Sequence, residues 1–151
     1  MRREKRVREA RKNDLREILE LYLHLHETGV PDQSEQLTAV WEEILRDDRY
    51  HLLVNEVEGR IVASCTCVVV PNLTRDLRPY ALVENVVTRS ECRGRGYATE
   101  CLASARKVAE QSGCYKIMLM TGSKEEKTLR FYKNAGYSSG DKTAFVQWLA
   151  R

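Results

Sequence analysis

Arg93-Gly94-Arg95-Gly96-Tyr97-Ala98 stands between two hydrophobic patterns of different period. Before it, Ala81 to Thr88 reads as a strand that is apolar apart from Glu84, Asn85 and Thr88. After it, apolar residues recur at Ala98, Cys101, Leu102, Ala105, Val108 and Ala109, the spacing of one helix face. A strand, a glycine-rich turn and a helix together present unpaired backbone N–H groups to an anion. Two glycines let a ligand approach the backbone closely, and two arginines add positive charge. A mere tight turn into a helix would need neither both glycines nor both arginines. The stretch therefore points to a phosphate-bearing ligand.

Outward from this turn the elements can be placed in order. Lys5 to Ala10 predicts a first strand. Asn13-Asp14 caps a helix carrying Leu15, Ile18, Leu19, Tyr22 and Leu25 on one face, with Thr28-Gly29-Val30-Pro31 as its stop. A second helix is expected from Ser34 to Asp48. His51 to Val57 and Arg60 to Val70 form a hairpin around Glu58-Gly59. Pro71 to Pro79 is a polar loop. Beyond the glycine turn, the Tyr97 helix ends at Ser112-Gly113 and Tyr115 to Thr121 is a strand. Ser123 and Glu126 form a capping box for a short helix through Lys133. Asn134-Ala135-Gly136 ends it, and two further strands begin at Tyr137 and span Thr143 to Leu149. The expectation is a mixed α+β (α/β) fold: one mostly antiparallel sheet of about seven strands with four helices on its faces.

Bulk properties narrow the class. The 151 residues suit one domain, 1–151, long enough to bury a substantial core. Hydrophobic content of 42% and charged content of 31% are those of an ordinary globular protein. No apolar run approaches the roughly 18 residues of a membrane span. The leading residues lack the apolar region of a secretory signal. Seven basic and two acidic residues fall in Met1 to Lys12, a local charge of +5; the whole chain carries +3, so the remainder carries −2. Basic charge thus belongs to one arm, and no aromatic interleaves it. A solvated segment is preferred to a nucleic-acid patch. Cys65, Cys67, Cys92, Cys101 and Cys114 show no C-x-x-C and no histidine at zinc-ligand spacing, so no metal site is expected. Such an odd, unpatterned set fits a reducing, cytoplasmic setting.

Among phosphate-binding loops, a P-loop requires Gly-Lys-Ser/Thr, where this chain has Gly96-Tyr97. A dinucleotide loop requires a third glycine or alanine, where this chain has Thr99, and it opens an early βαβ unit. Arg93-x-x-Gly96-x-Ala98 resembles the R/Q-x-x-G-x-G/A signature of the GCN5-related N-acetyltransferases, the GNAT superfamily. The flanks agree over almost the whole chain: a leading strand and two helices, Val86-Val87-Thr88 before the loop, the Tyr115 strand, and Phe131-Tyr132 with Gly136-Tyr137 after it. Gly113 to Ile117 and Phe131 to Tyr137 also look like the glucosamine-phosphate N-acetyltransferase branch. The stretch from His51 is similar to aminoalkylphosphonate N-acetyltransferases.

The resemblance implies acetyl-CoA as cosubstrate and direct acetyl transfer to a primary amine through a tetrahedral intermediate. Its diphosphate would lie on Arg93, Gly94, Arg95, Gly96, Tyr97, Ala98 and Thr99. Its pantetheine arm would pair with Val86, Val87 and Thr88, in a gap opened by a bulge in that strand, and the Val87 amide would serve the oxyanion. An alkylammonium of pKa near 9 is about 1% neutral at pH 7, a deficit of roughly 2.7 kcal/mol that a positioned base can cover.

Glu84, a carboxylate in an apolar strand, is the candidate base or water-organiser; the alternative is a structural charge paired with an arginine such as Arg78. Tyr132 is the position where the family places a general acid for the leaving thiolate; the alternative is a packed aromatic. Glu125 departs from the family, which often has asparagine there against coenzyme A. Arg75 and Arg78 in the polar loop could bind a phosphate or phosphonate on a small-molecule amine, or be solvated. A protein or peptide acceptor, or a non-catalytic acyl-CoA-binding module, are the competing functions. The resemblance also allows a homodimer.

Overall fold

The computed structural model describes residues 6–150. Strand β1 (Val7–Glu9) enters a 3₁₀ turn at Lys12–Asp14 and helix α1 (Leu15–Tyr22). Asp14 does not cap α1. Its carboxylate instead accepts from Arg8 at 2.7 and 3.1 Å and from the Arg11 N–H at 2.7 Å, welding β1 to the turn. Helix α2 (Glu35–Arg46) starts where Ser34 Oγ accepts the Leu37 N–H at 3.1 Å. Strands β2 (Tyr50–Val57) and β3 (Arg60–Val70) form the expected hairpin. Its turn residues Glu58 and Gly59 both have positive φ, 51° and 76°, which matches the twist of the two strands.

The Pro71 to Pro79 loop contains α3 (Thr74–Leu77), a single turn in which Arg75, Asp76 and Leu77 are left-handed. Strand β4 (Tyr80–Thr88) then leads through a 3₁₀ turn at Ser90–Cys92 into α4 (Tyr97–Gln111). Strand β5 (Ile117–Leu119) and helix α5 (Glu126–Asn134) follow. The sheet order is β1-β2-β3-β4-β5; the first three pairings are antiparallel and β4–β5 is parallel. Two cores flank it. Leu53, Cys65, Cys67, Ala81 and Val83 pack with Cys101, Leu102 and Ala105 of α4. Leu52, Val54, Ile61 and Val87 pack with Ile18 and Leu21 of α1 and Trp41 of α2. The Trp41 indole N–H donates to Lys12 O at 3.1 Å, fixing α2 to the entry turn.

The mixed, mostly antiparallel sheet and the four helices of eight or more residues match the sequence reading, but among the described residues the sheet has five strands, not about seven. Tyr137 does not open a strand; its N–H donates to Tyr132 O and closes the end of α5 beyond Gly136, which is left-handed at φ 99°. Residues 143–149 are not in a strand either, and Phe145 is 90% and Leu149 93% exposed. Their alternating pattern is strand-like, yet a strand needs an edge to pair with, and β5 is paired over only three residues. The capping box of α5 is likewise not formed: Ser123 Oγ accepts the Glu125 N–H at 3.2 Å, and Glu125 stands at the cap position.

Part of the basic arm, Met1 to Lys5, lies outside the described residues. Within them, Arg8 bonds Asp14 and Glu56, and Arg6 lies against Glu100 and the Tyr97 ring. Arg6 and Arg8 of the arm are therefore engaged in internal contacts, while Arg11 and Lys12 are exposed. No helix among the described residues is long and apolar enough to cross a membrane.

Candidate active site

Strand β4 changes face in its middle. Glu84 pairs with Thr66 and Val87 with Ser64, so Asn85 and Val86 oppose the single residue Cys65. Asn85 takes φ 52° to accommodate the extra residue, which makes this a β-bulge. Before the bulge Ala81 and Val83 face α4; after it Val86 faces α4 and Val87 joins the core under α1 and α2. Strand β5 pairs with β4 only from Ala81 to Val83. From Glu84 onward no strand among the described residues pairs with β4 on that side, and this open edge beyond the end of β5 is the candidate cleft.

At the top of the cleft is the glycine turn. Gly94 and Gly96 sit at φ 77° and 84°, and a Cβ at either would meet nothing within 4 Å. Backbone conformation, and not crowding, is what demands glycine there. Gly96 is the N-cap of α4, and no side chain caps the helix. Its first-turn N–H groups, on Tyr97, Ala98 and Thr99, are thus open to an anion. Arg95 is exposed, whereas Arg93 donates to His24 O at 3.3 Å. The His24 ring accepts the Ser90 N–H at 3.3 Å, so the end of α1 is tied to the turn that precedes the cradle.

Glu84 is exposed on the strand just below the bulge, and its carboxylate makes no ion pair or hydrogen bond among the described residues. Arg78, its alternative partner, lies elsewhere: its Nε donates to Arg75 O, and its guanidinium sits 5.9 Å from the Tyr115 ring centre. Tyr132 is half-buried against the α4-side core, edge-on to Phe131 at 4.9 Å and to Tyr137 at 6.4 Å between ring centres. Burial raises its pKa, and the negative potentials of Cys65 and Glu84 add to the rise. The two candidate catalytic groups therefore share one locality. A phenol held this way stays protonated through the neutral range, the state a proton donor needs.

Arg75 and Arg78 do not reach up to Glu84. With Lys116 they surround Tyr115 at the foot of β4 and β5, at 5.4, 5.9 and 5.2 Å from its ring centre. Cys92 is buried, and burial pushes the Cys67 thiol up to about 12, so neither is a ready nucleophile. Among the described residues no group of three His, Cys, Asp or Glu could hold a metal ion. A hollow of about 300 Å³ between β1, β2 and the second half of α4, lined by His51 and Lys107, lies away from the cleft.

A model of the acetyltransferase (GNAT) family matches residues 14–137. The chain belongs to the GNAT family. It is an acetyltransferase. A glucosamine 6-phosphate N-acetyltransferase of Trypanosoma brucei brucei is 28% identical over 137 residues, covering 90% of each chain. A solved protein of Agrobacterium tumefaciens str. C58 described as an acetyltransferase is 34% identical, with a TM-score of 0.86 over 94% of this chain and 99% of its own. Glucosamine-6-phosphate N-acetyltransferase of Arabidopsis thaliana shares the fold at a TM-score of 0.83 and 24% identity, over 95% of this chain and 97% of its own.

One buried charge in this acetyltransferase escaped the sequence reading. Arg89, directly after β4, is 7% exposed; its Nε donates to Ile61 O at 2.8 Å and its Nη2 lies 3.9 Å from Glu17 Oε1. Glu17 in turn accepts the Ile61 N–H at 2.6 Å. This group ties α1, β3 and the end of β4 together behind the cradle. An arginine next to two loop arginines carries no sequence signal of burial.

Proposed function

We propose that the whole chain is one acetyltransferase domain that moves the acetyl group of acetyl-CoA to the primary amine of a small molecule. The observation that carries this is the cleft at the β4 bulge, bounded by an uncapped helix N-terminus above and by Glu84 and Tyr132 beside it. The donor set fits a coenzyme A diphosphate: open first-turn amides of α4, two left-handed glycines and the exposed Arg95. Bound there, acetyl-CoA supplies the thioester. Val86, Val87 and Thr88 line the open side of β4 for its extended arm, as an added strand would lie.

Glu84 takes the proton of the incoming ammonium, directly or through water, and so offsets the small neutral fraction of the amine. Tyr132 holds the proton that the departing thiolate needs. Glu125, exposed at the start of α5, offers a carboxylate where an anionic ligand gains nothing.

The finer reading of the acceptor is an amine that also bears a phosphate or phosphonate. Arg75, Arg78 and Lys116, clustered on Tyr115 with no ion pair among the described residues, support it. So does the Trypanosoma relative, whose substrate by name is glucosamine 6-phosphate. Five free thiols support a reducing, cytoplasmic setting. A second copy of the chain is the proposed protein partner, supported by the exposed apolar C-terminal segment.

The deciding test is release of free coenzyme A thiol from acetyl-CoA in the presence of amino sugars, their phosphates, aminophosphonates, polyamines and a lysine peptide. Turnover of small amines, faster with phosphate-bearing ones, is expected. Turnover of the peptide alone would replace the small-molecule reading with a protein acceptor. Tight coenzyme binding without turnover of any amine would leave a non-catalytic acyl-CoA-binding module.

A further inference from the structure

The first turn of α4 is held from beneath by a side chain far from it in sequence. Asn55, on β2, is fully buried at the point where the β2–β3 register slips between Asn55 and Glu56. Its Nδ2 donates to Tyr97 O at 3.1 Å and to Glu100 Oε2 at 2.8 Å. The other Glu100 oxygen lies 3.9 Å from Arg6 Nη2, and the Arg6 guanidinium stands 5.8 Å from the Tyr97 ring centre. Asn55 Oδ1 has no partner among the described residues and is buried. An orphaned buried acceptor destabilises a core, so packing alone would favour an apolar residue at this position.

The amide side of Asn55 answers a specific need. Glu100 sits in the first turn of α4, where a carboxylate is drawn toward the unpaired N–H groups of the helix start. Those are the groups that a diphosphate would use. Free to swing, Glu100 would compete with the ligand for them and repel it. Asn55 and Arg6 hold the carboxylate down against the sheet, and the bond to Tyr97 O fixes the helix start itself.

We propose that Asn55 is a positioning residue for the coenzyme site, restraining Glu100 so that the first-turn amides of α4 stay available to the diphosphate. This role rests on the reading that α4 binds acetyl-CoA. Calorimetric binding of coenzyme A tests it on three proteins: wild type, Asn55→Leu, and Asn55→Leu with Glu100→Gln. Leucine fills the volume and removes the orphaned oxygen, so thermal stability is retained. Affinity for coenzyme A falls about five- to tenfold in the single variant and returns with Glu100→Gln. In turnover assays KM for acetyl-CoA rises while kcat and KM for the amine hold within about twofold of wild type.

Equal coenzyme affinity in wild type and Asn55→Leu would overturn the role and leave the function intact. A loss that Glu100→Gln does not restore would also overturn it, since that loss would be structural. A wild type that binds no coenzyme A would overturn the function reading and this role with it.

Discussion

Tyr132 and Glu84 sit near one another but differ in exposure, and that difference assigns their work. Glu84 faces water, and Tyr132 is half-buried with its pKa raised by burial first and by nearby negative potentials second. Tyr132→Phe removes the proton donor and keeps the ring packing; kcat is expected to fall about 10²–10⁴-fold with KM for acetyl-CoA little changed, as measured by thiol release. The donor works only while protonated. Its raised pKa therefore places the alkaline limb of kcat above the ordinary tyrosine value of about 10, and this limb disappears in the variant.

Tyr22 tests the same physics on stability. Burial pushes it up to about 12, with the Tyr50 charge adding to the shift. Its contribution is full below the unfolded value of about 10 and is lost as pH rises toward 12, because the unfolded state sheds the proton first. Denaturant unfolding should show a fall of roughly 2–3 kcal/mol across that window that Tyr22→Phe lessens.

At the scale of elements, β4 and α4 make the site by being irregular. Strand β4 carries an extra residue at Asn85, and α4 begins with a left-handed glycine in place of a capping side chain. Gly96→Ala meets no steric obstacle, so its cost is conformational: about 1–2 kcal/mol of stability by thermal or denaturant unfolding. A shift of the first turn accompanies it, and KM for acetyl-CoA rises. Helix α4, its glycines and its start at Tyr97 were readable because punctuation and period are local signals. The bulge was expected from family resemblance alone; Val86 and Val87 after Asn85 are both apolar and give no sign of which one faces α4.

At the scale of the molecule, the C-terminal segment stands apart. Phe145 and Leu149 are almost wholly exposed and Val146 largely so, and β5 is the last strand of the sheet in the described chain. Exposed apolar side chains in sequence mark an association surface, and an edge strand offers a second chain somewhere to pair. Light scattering across a dilution series is expected to show a dimer. Phe145→Ser with Leu149→Ser shifts it to monomer, and a monomeric wild type would refute the second-copy reading.

Taken by itself, the amino-acid order was enough to establish the hairpin, the glycine turn, the amphipathic helices and the family signature. Each depends on residues within a few positions of one another, where period, glycine and capping chemistry act directly. It also marked Glu84 and Tyr132, one by an acid in an apolar strand and the other by its neighbours. Only the tertiary structure decided that Glu84 lies near enough to Tyr132 to raise its pKa, that Arg78 turns to Tyr115 instead of Glu84, and that Arg89 and Asn55 are buried. It alone decided that Thr143 to Leu149 does not form a strand. Those outcomes depend on which distant segment lies alongside, and burial, pairing and charge neutralisation between distant segments leave no periodic trace in the order of residues.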